Sequence, residues 1–147
     1  MTRRFRGRPI LPGSLEGEAL VTHAGFNTYA SFFTSIHVPA QVARCADSSN
    51  PELYGKNLAD KIICLPNTVG STSSGAVWQR VARMGVAPRA MLFSQPIDSL
   101  AAGGLIVADL WAGRRIVTID RLGDEFMALV KEGDWIAVRE DGTVTIE

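Results

Sequence analysis

Cysteine is nearly absent: Cys45 and Cys64 are the only two in 147 residues. Without CxxC spacing they build neither a disulfide framework nor a self-contained zinc or iron–sulfur site. Excess charge of one sign is also lacking, because 15 basic residues balance 15 acidic ones. No positive field therefore recruits nucleic acid or an anionic membrane surface, and small molecules or another protein are the expected partners. No apolar run approaches the length of a transmembrane helix. The basic start, Arg3, Arg4, Arg6 and Arg8, is followed by Pro9-Ile10-Leu11-Pro12-Gly13-Ser14 rather than an apolar signal-peptide core, so a solvated strand and a cytoplasmic protein are expected.

What is present is apolar content of 46% with 20% charged residues, enough for one globular domain over residues 1–147 with a real core. Cys64, in Ile62-Ile63-Cys64-Leu65, reads as a core thiol, and Cys45, beside Arg44, as a surface one.

The pattern predicts strands over 5–10 and 18–22, joined by a turn through Pro12, Gly13 and Gly17, and a buried strand over 62–65. From His23 to Pro51 no period is sustained. A connection of that length is functional or disordered, and Phe26, Tyr29, Phe32 and Phe33 argue for order. Val77, Val81 and Met84 mark an amphipathic helix over 76–84, with Ser73 or Ser74 as N-cap and Gly85 as its stop. A strand over 90–93, a helix over about 98–110 with an Ala/Gly-rich face suited to packing on a sheet, and a strand over 115–119 follow. This order predicts a parallel α/β core. A short helix near 124–130 and strands over 135–139 and 143–146, joined through Asp141-Gly142 in a type I′ turn, complete the chain.

The run Gly70-Ser71-Thr72-Ser73-Ser74-Gly75 lies between a buried strand and a helix start, where free backbone N–H groups and the positive dipole end meet. Two readings stand: a glycine-rich N-cap turn, or an anion-binding loop holding a substrate carboxylate with the Ser71 hydroxyl beside its α-carbon. No Lys closes it as in a Walker A loop. Nor is it a nucleophile elbow, since His23 and His37 both precede the serine. Each histidine is expected to be structural or solvated. Asp98, Asp109, Asp120, Asp124 and Glu125 read as helix caps or surface charges.

Several stretches together resemble the swivel domain of the aconitase X family. They are Gly7-Arg8-Pro9-Ile10 with Gly17-Glu18-Ala19-Leu20-Val21, Gly25-Phe26-Asn27, Leu53-Tyr54-Gly55-Lys56-Asn57-Leu58, Gly70-Ser71-Thr72, Gly85-Val86-Ala87-Pro88-Arg89-Ala90, and Ala101-Ala102-Gly103-Gly104-Leu105-Ile106-Val107-Ala108. The resemblance implies a swivelling β/β/α domain: a parallel αβ core flanked by antiparallel strands. It implies a hydro-lyase active only with a large subunit that carries an iron or iron–sulfur centre, this chain binding no metal itself. It further implies that Ser71 accepts the substrate proton, with Gly70, Thr72, Ser73 and Ser74 binding substrate. Phe26 and Asn27 are secondary candidates, packing on or bonding to the substrate, or else packing within the fold or an interface.

Asn67-Thr68-Val69 before the loop lacks the basic residue of phosphate-handling members. The expected reaction is therefore dehydration of cis-3-hydroxy-L-proline to Δ1-pyrroline-2-carboxylate. Dehydration of mevalonate 5-phosphate or another hydroxy acid, and a non-catalytic anion-binding or regulatory module, are the alternatives.

Overall fold

The structure is a computed structural model that describes residues 2–37, 41–70 and 74–147, leaving the side chain of Ser74 aside. In chain order the elements are β1 (Arg3–Arg6), β2 (Arg8–Leu11), β3 (Leu15–Val21), β4 (Phe26–Asn27), α1 (Thr28–His37), β5 (Ile62–Leu65), β6 (Thr68–Val69), α2 (Ser74–Met84), β7 (Ala90–Phe93), α3 (Ser99–Ala112), β8 (Val117–Asp120), α4 (Asp124–Leu129), β9 (Trp135–Val138) and β10 (Thr143–Ile146).

Strands β3, β5, β7 and β8 run parallel at the centre. Their residues from Ile62 to Leu65, Ala90 to Phe93 and Val117 to Asp120 are buried without alternation, because both faces are covered. On one face Ile63, Leu65, Met91 and Phe93 meet Val77, Trp78, Val81 and Leu105 of α2 and α3 and Phe32 of α1. On the other, Ile62, Cys64, Leu92 and Ile119 meet Phe126, Ile136, Val138 and Val144. By contrast β9 and β10 alternate between buried and more open positions, as antiparallel strands with one wet face do. A parallel αβ core flanked by antiparallel strands results, as the sequence pattern predicts, in the β/β/α arrangement that the family resemblance implies.

The strand order β1-β10-β9-β3-β5-β7-β8-β2 puts β1 and β2 at opposite ends, yet only Gly7 separates them. The sheet must therefore curl until its edges meet. At the seam the Gly7 amide donates to the Gly142 carbonyl at 2.9 Å. A β-carbon on Gly7 would lie 2.4 Å from the carbonyl oxygen of Asp120, so a side chain would force the seam open. Beside it the fully buried Asp120 accepts two bonds from Arg8, at 3.0 and 2.7 Å, and one from the Ile97 amide at 2.7 Å. The guanidinium of Arg8 is held above its ordinary pKa by that hydrogen-bonded partner.

Five expectations need correction. The stretch after His23 contains β4 and α1, the latter short and rich in aromatics that obscure its period. The single strand expected over 5–10 is two, β1 and β2, parted at Gly7, and Gly17 lies inside β3 rather than in the turn; β2 pairs with β8, and β3 with β9 and β5. The last hairpin is not type I′, which needs two positive φ angles. Here Gly142 alone, at φ +90, has one, and the bonds Gly142 N–H to Arg139 O and Arg139 N–H to Thr143 O close a three-residue loop. Cys45 is buried at 2% exposure and its thiol is pushed up chiefly by burial, because the connector folds back: its amide bonds Lys56 O and its carbonyl accepts from Gly55. Asp120 is interior rather than a surface charge.

Candidate active site

Three crossovers leave the same edge of the parallel sheet. After β3 the chain reaches α1, after β5 it reaches α2, and after β7 it reaches α3. The N-termini of all three helices therefore lie at the carboxyl ends of the strands, the edge where open α/β sheets bind ligands.

What holds the first of these together is a two-stranded parallel clasp, β4 on β6, with the Phe26 amide donating to Asn67 O at 2.9 Å. Asn27 then caps α1, its Oδ1 accepting from the Ala30 amide at 3.0 Å. The same side chain abuts Gly70, which has φ +114. The clasp thus brings the capped end of α1 against the first residue of the serine loop.

From the other side comes α3. Asp98 caps it by accepting from the Ala101 amide at 3.1 Å, and its second oxygen accepts from the Thr68 hydroxyl at 2.9 Å. Gly75 and Gly104 let α2 and α3 approach closely, since a β-carbon on Gly104 would lie 2.9 Å from the Gly75 Cα. A small recess of about 50 Å³ opens here, lined by Thr28, Thr68, Val69, Gly70, Asp98, Leu100 and Ala101. Pockets that hold a small molecule by themselves are several times larger, so the described residues alone do not enclose one here.

Of the residues singled out from sequence, Gly70 lines this recess and Asn27 buttresses it. Ser71, Thr72 and Ser73 lie outside the described residues, as does the proposed serine N-cap of α2; Ser74 opens that helix. Phe26 is in the recess neither by ring nor by edge. It is fully buried, stacked on Trp78 at 6.3 Å and edge-on to Phe32 at 6.2 Å. Of the roles open to it, it takes packing within this chain. Thr28, Thr68 and Leu100 carry no chain-local signal of this placement, and of the two readings the sequence leaves Asp98, helix cap or surface charge, it is the cap.

The two histidines stand apart. His37 closes α1, Nδ1 donating to Phe33 O at 2.6 Å. His23 bridges Glu52 Oε2 at 2.7 Å and Met127 O at 3.2 Å. The hydrogen bond to Glu52 holds His23 above its ordinary pKa. For Glu52, burial pushes the carboxyl up, but the His23 amide and ring outweigh it and the net shift is down. Neither faces the recess. Among the described residues no three His, Cys, Asp or Glu gather as metal ligands, Cys64 being fully buried with its thiol pushed far up by desolvation. No helix among them is long and apolar enough to cross a membrane.

Residues 4–146 match the family described as the Aconitase X swivel domain. This chain belongs to that family. The swivel domain is 29% identical over 138 residues to a phosphomevalonate dehydratase small subunit of Archaeoglobus fulgidus, covering 94% of this chain and 93% of that one. It is 28% identical over 119 residues to a cis-3-hydroxy-L-proline dehydratase of Pseudomonas aeruginosa, covering 81% of this chain but 19% of that longer protein. Among solved structures, an aconitase X of Thermococcus kodakaraensis superposes with a TM-score of 0.80 at 24% identity, over 99% of this chain and 98% of the other. A UPF0107 protein solved in solution by NMR gives 0.77 at 25% identity, over 99% of both.

Proposed function

We propose that residues 1–147 act as one swivel domain, the small subunit of an aconitase X-type dehydratase, and that Ser71 accepts the α-proton of cis-3-hydroxy-L-proline. The 3-hydroxyl then leaves as water, and the enamine tautomerises to Δ1-pyrroline-2-carboxylate. Gly70 and the amides of Thr72, Ser73 and Ser74 hold the substrate carboxylate at the start of α2. The large subunit supplies the iron or iron–sulfur centre that the family resemblance implies, for which this chain's described residues offer no donor set.

The observation that carries the substrate reading is Asp98. It is the one charged side chain among the described residues lining the recess, and it suits the secondary ammonium of hydroxyproline. A phosphate dianion would meet a carboxylate where it needs a cation. Serine requires strong help to act as a base. A helix N-terminus contributes up to about 2 kcal/mol, or roughly 1.5 pKa units. The remaining field has to come from the closed, dry site that the partner completes.

Mevalonate 5-phosphate is the second reading, favoured by the name of the Archaeoglobus relative that matches along nearly its whole length. The test is to purify this chain with its large subunit and assay both substrates. Turnover of cis-3-hydroxy-L-proline that drops about 10²–10⁴-fold in Ser71→Ala supports the proposal. Turnover of mevalonate 5-phosphate alone overturns the substrate, and full activity of Ser71→Ala overturns the base. A partner without metal ligands and a pair inactive on both would point to a non-catalytic anion-binding module.

A further inference from the structure

Helix α3 is apolar on its outward face as well as its inward one, which a helix at the surface of a free-standing fold has no reason to be. Ala101, Gly104, Leu105 and Ala108 face inward. At the helical repeat of 100° per residue, Leu100, Ile106, Val107, Leu110 and Trp111 fall on a single outward arc. All are exposed, Leu100 at 58%, Leu110 at 71% and Trp111 at 69%. Charge does not interrupt the arc: Asp109 is the only ionisable residue in Ser99–Ala112, and Arg115 neutralises it through bonds of 3.0 and 2.9 Å. An uncharged, aromatic-bearing stripe of this kind has the composition of an interface core.

Its place in the fold says what covers it. The stripe begins at Leu100, which also lines the recess with Thr68, Gly70 and Asp98. A subunit that closes over the recess meets the stripe at Leu100, and the stripe leads from there to Trp111 at the far end of the helix. We propose that the outward face of α3, from Leu100 to Trp111, is the seat of the large dehydratase subunit, with Leu110 and Trp111 as its anchors. This rests on the reading of the chain as a small subunit. It adds that the two subunits are held by a helix face beginning at the site, so that contact can persist at Trp111 while the mouth at Leu100 opens for substrate.

The experiment uses the purified large subunit and this chain. Hydroxyl-radical footprinting compares two exposed tryptophans, Trp111 on α3 and Trp135 at 48% exposure on β9. Oxidation of Trp111 is expected to fall severalfold on adding the large subunit while that of Trp135 is unchanged. In parallel, Leu110→Glu/Trp111→Glu is expected to weaken association at least about 30-fold, the size of an interface hot spot, with an unaltered melt. Tyr54→Glu, which places a charge on the exposed connector, should bind as wild type.

Equal oxidation of Trp111 with and without the partner overturns the proposal, whatever the folding of the variants. So does protection that appears with this chain's own concentration and without the large subunit, which would assign the stripe to a second copy. A pair that assembles through Trp111 but dehydrates neither substrate would remove the substrate reading and leave this surface standing. A pair that turns over with Trp111 exposed would do the reverse.

Discussion

The side-chain oxygen of Asn27 stands 2.9 Å from where a β-carbon on Gly70 would be, and Gly70 has φ +114. Two penalties therefore fall on one residue, a backbone conformation that L side chains avoid and a contact with the cap of α1. Gly70→Ala is expected to cost about 1–3 kcal/mol and to displace the chain leading into Ser71. Thermal melts and dehydratase turnover of the paired subunits measure the two effects. Adding Asn27→Gly should relieve only the contact, so a double variant fully restored in both would show that the backbone angle is unimportant.

Asn27 itself is expected to act through α1. Asn27→Ala removes the acceptor for the Ala30 amide and should lower stability by about 1 kcal/mol, whereas Asn27→Ser, which caps as well, should keep it. If turnover falls equally in both variants, the amide does more than cap, and direct contact with substrate becomes the better account.

Asp120 locks the seam of the sheet to the start of α3 through Arg8 and the Ile97 amide. Asp120→Asn keeps an acceptor but removes the charge opposite Arg8. Arg8 is half exposed and Asp120 has no exposure at all, so the loss falls mainly on the carboxylate's side. A destabilisation of about 2–3 kcal/mol is expected in urea unfolding. A value below 0.5 kcal/mol would mean that water replaces the pair at no cost.

The clasp of His23 between Glu52 and Met127 predicts a pH dependence. Because the folded pKa of His23 is raised by Glu52, its contribution is complete below about pH 6.5 and is lost as pH climbs through the higher folded value. Glu52, with a lowered pKa, contributes above its ordinary range near 4.5 and loses that as pH falls through the lower folded value. Both side chains are more than a third exposed, so screening keeps the total under about 1 kcal/mol. In Glu52→Gln the His23 pKa read by NMR should drop towards 6.5. An unmoved pKa would mean that Met127 O, not Glu52, raises it.

How much of this was legible depends on range along the chain. The strands Ile62–Leu65 and Ala90–Phe93, with helix α2 between them, write their burial into unbroken apolar runs or a 3.6-residue period, and all were readable. Helix α1 was not, because Tyr29, Phe32 and Phe33 serve different surroundings and blur the period: Phe32 is in the core while Phe33 is exposed. The serine loop was legible as a candidate by its residue types and position. Its neighbours Thr68, Asp98 and Leu100 were not, since they arrive from separate crossovers and only packing makes them adjacent.

By itself the sequence determined the parallel αβ core, the place of the serine run before α2, and the family likeness, because each rests on local pattern. Only the tertiary structure decided that Gly7 joins the two edges of one curled sheet, that Phe26 turns inward on Trp78, and that Asn27 and Asp98 flank Gly70. It also decided that α3 presents its second apolar face outward. The physical reason is the same throughout: hydrogen-bond partners and buried faces are chosen across distances of many residues, where no periodicity in the chain can record them.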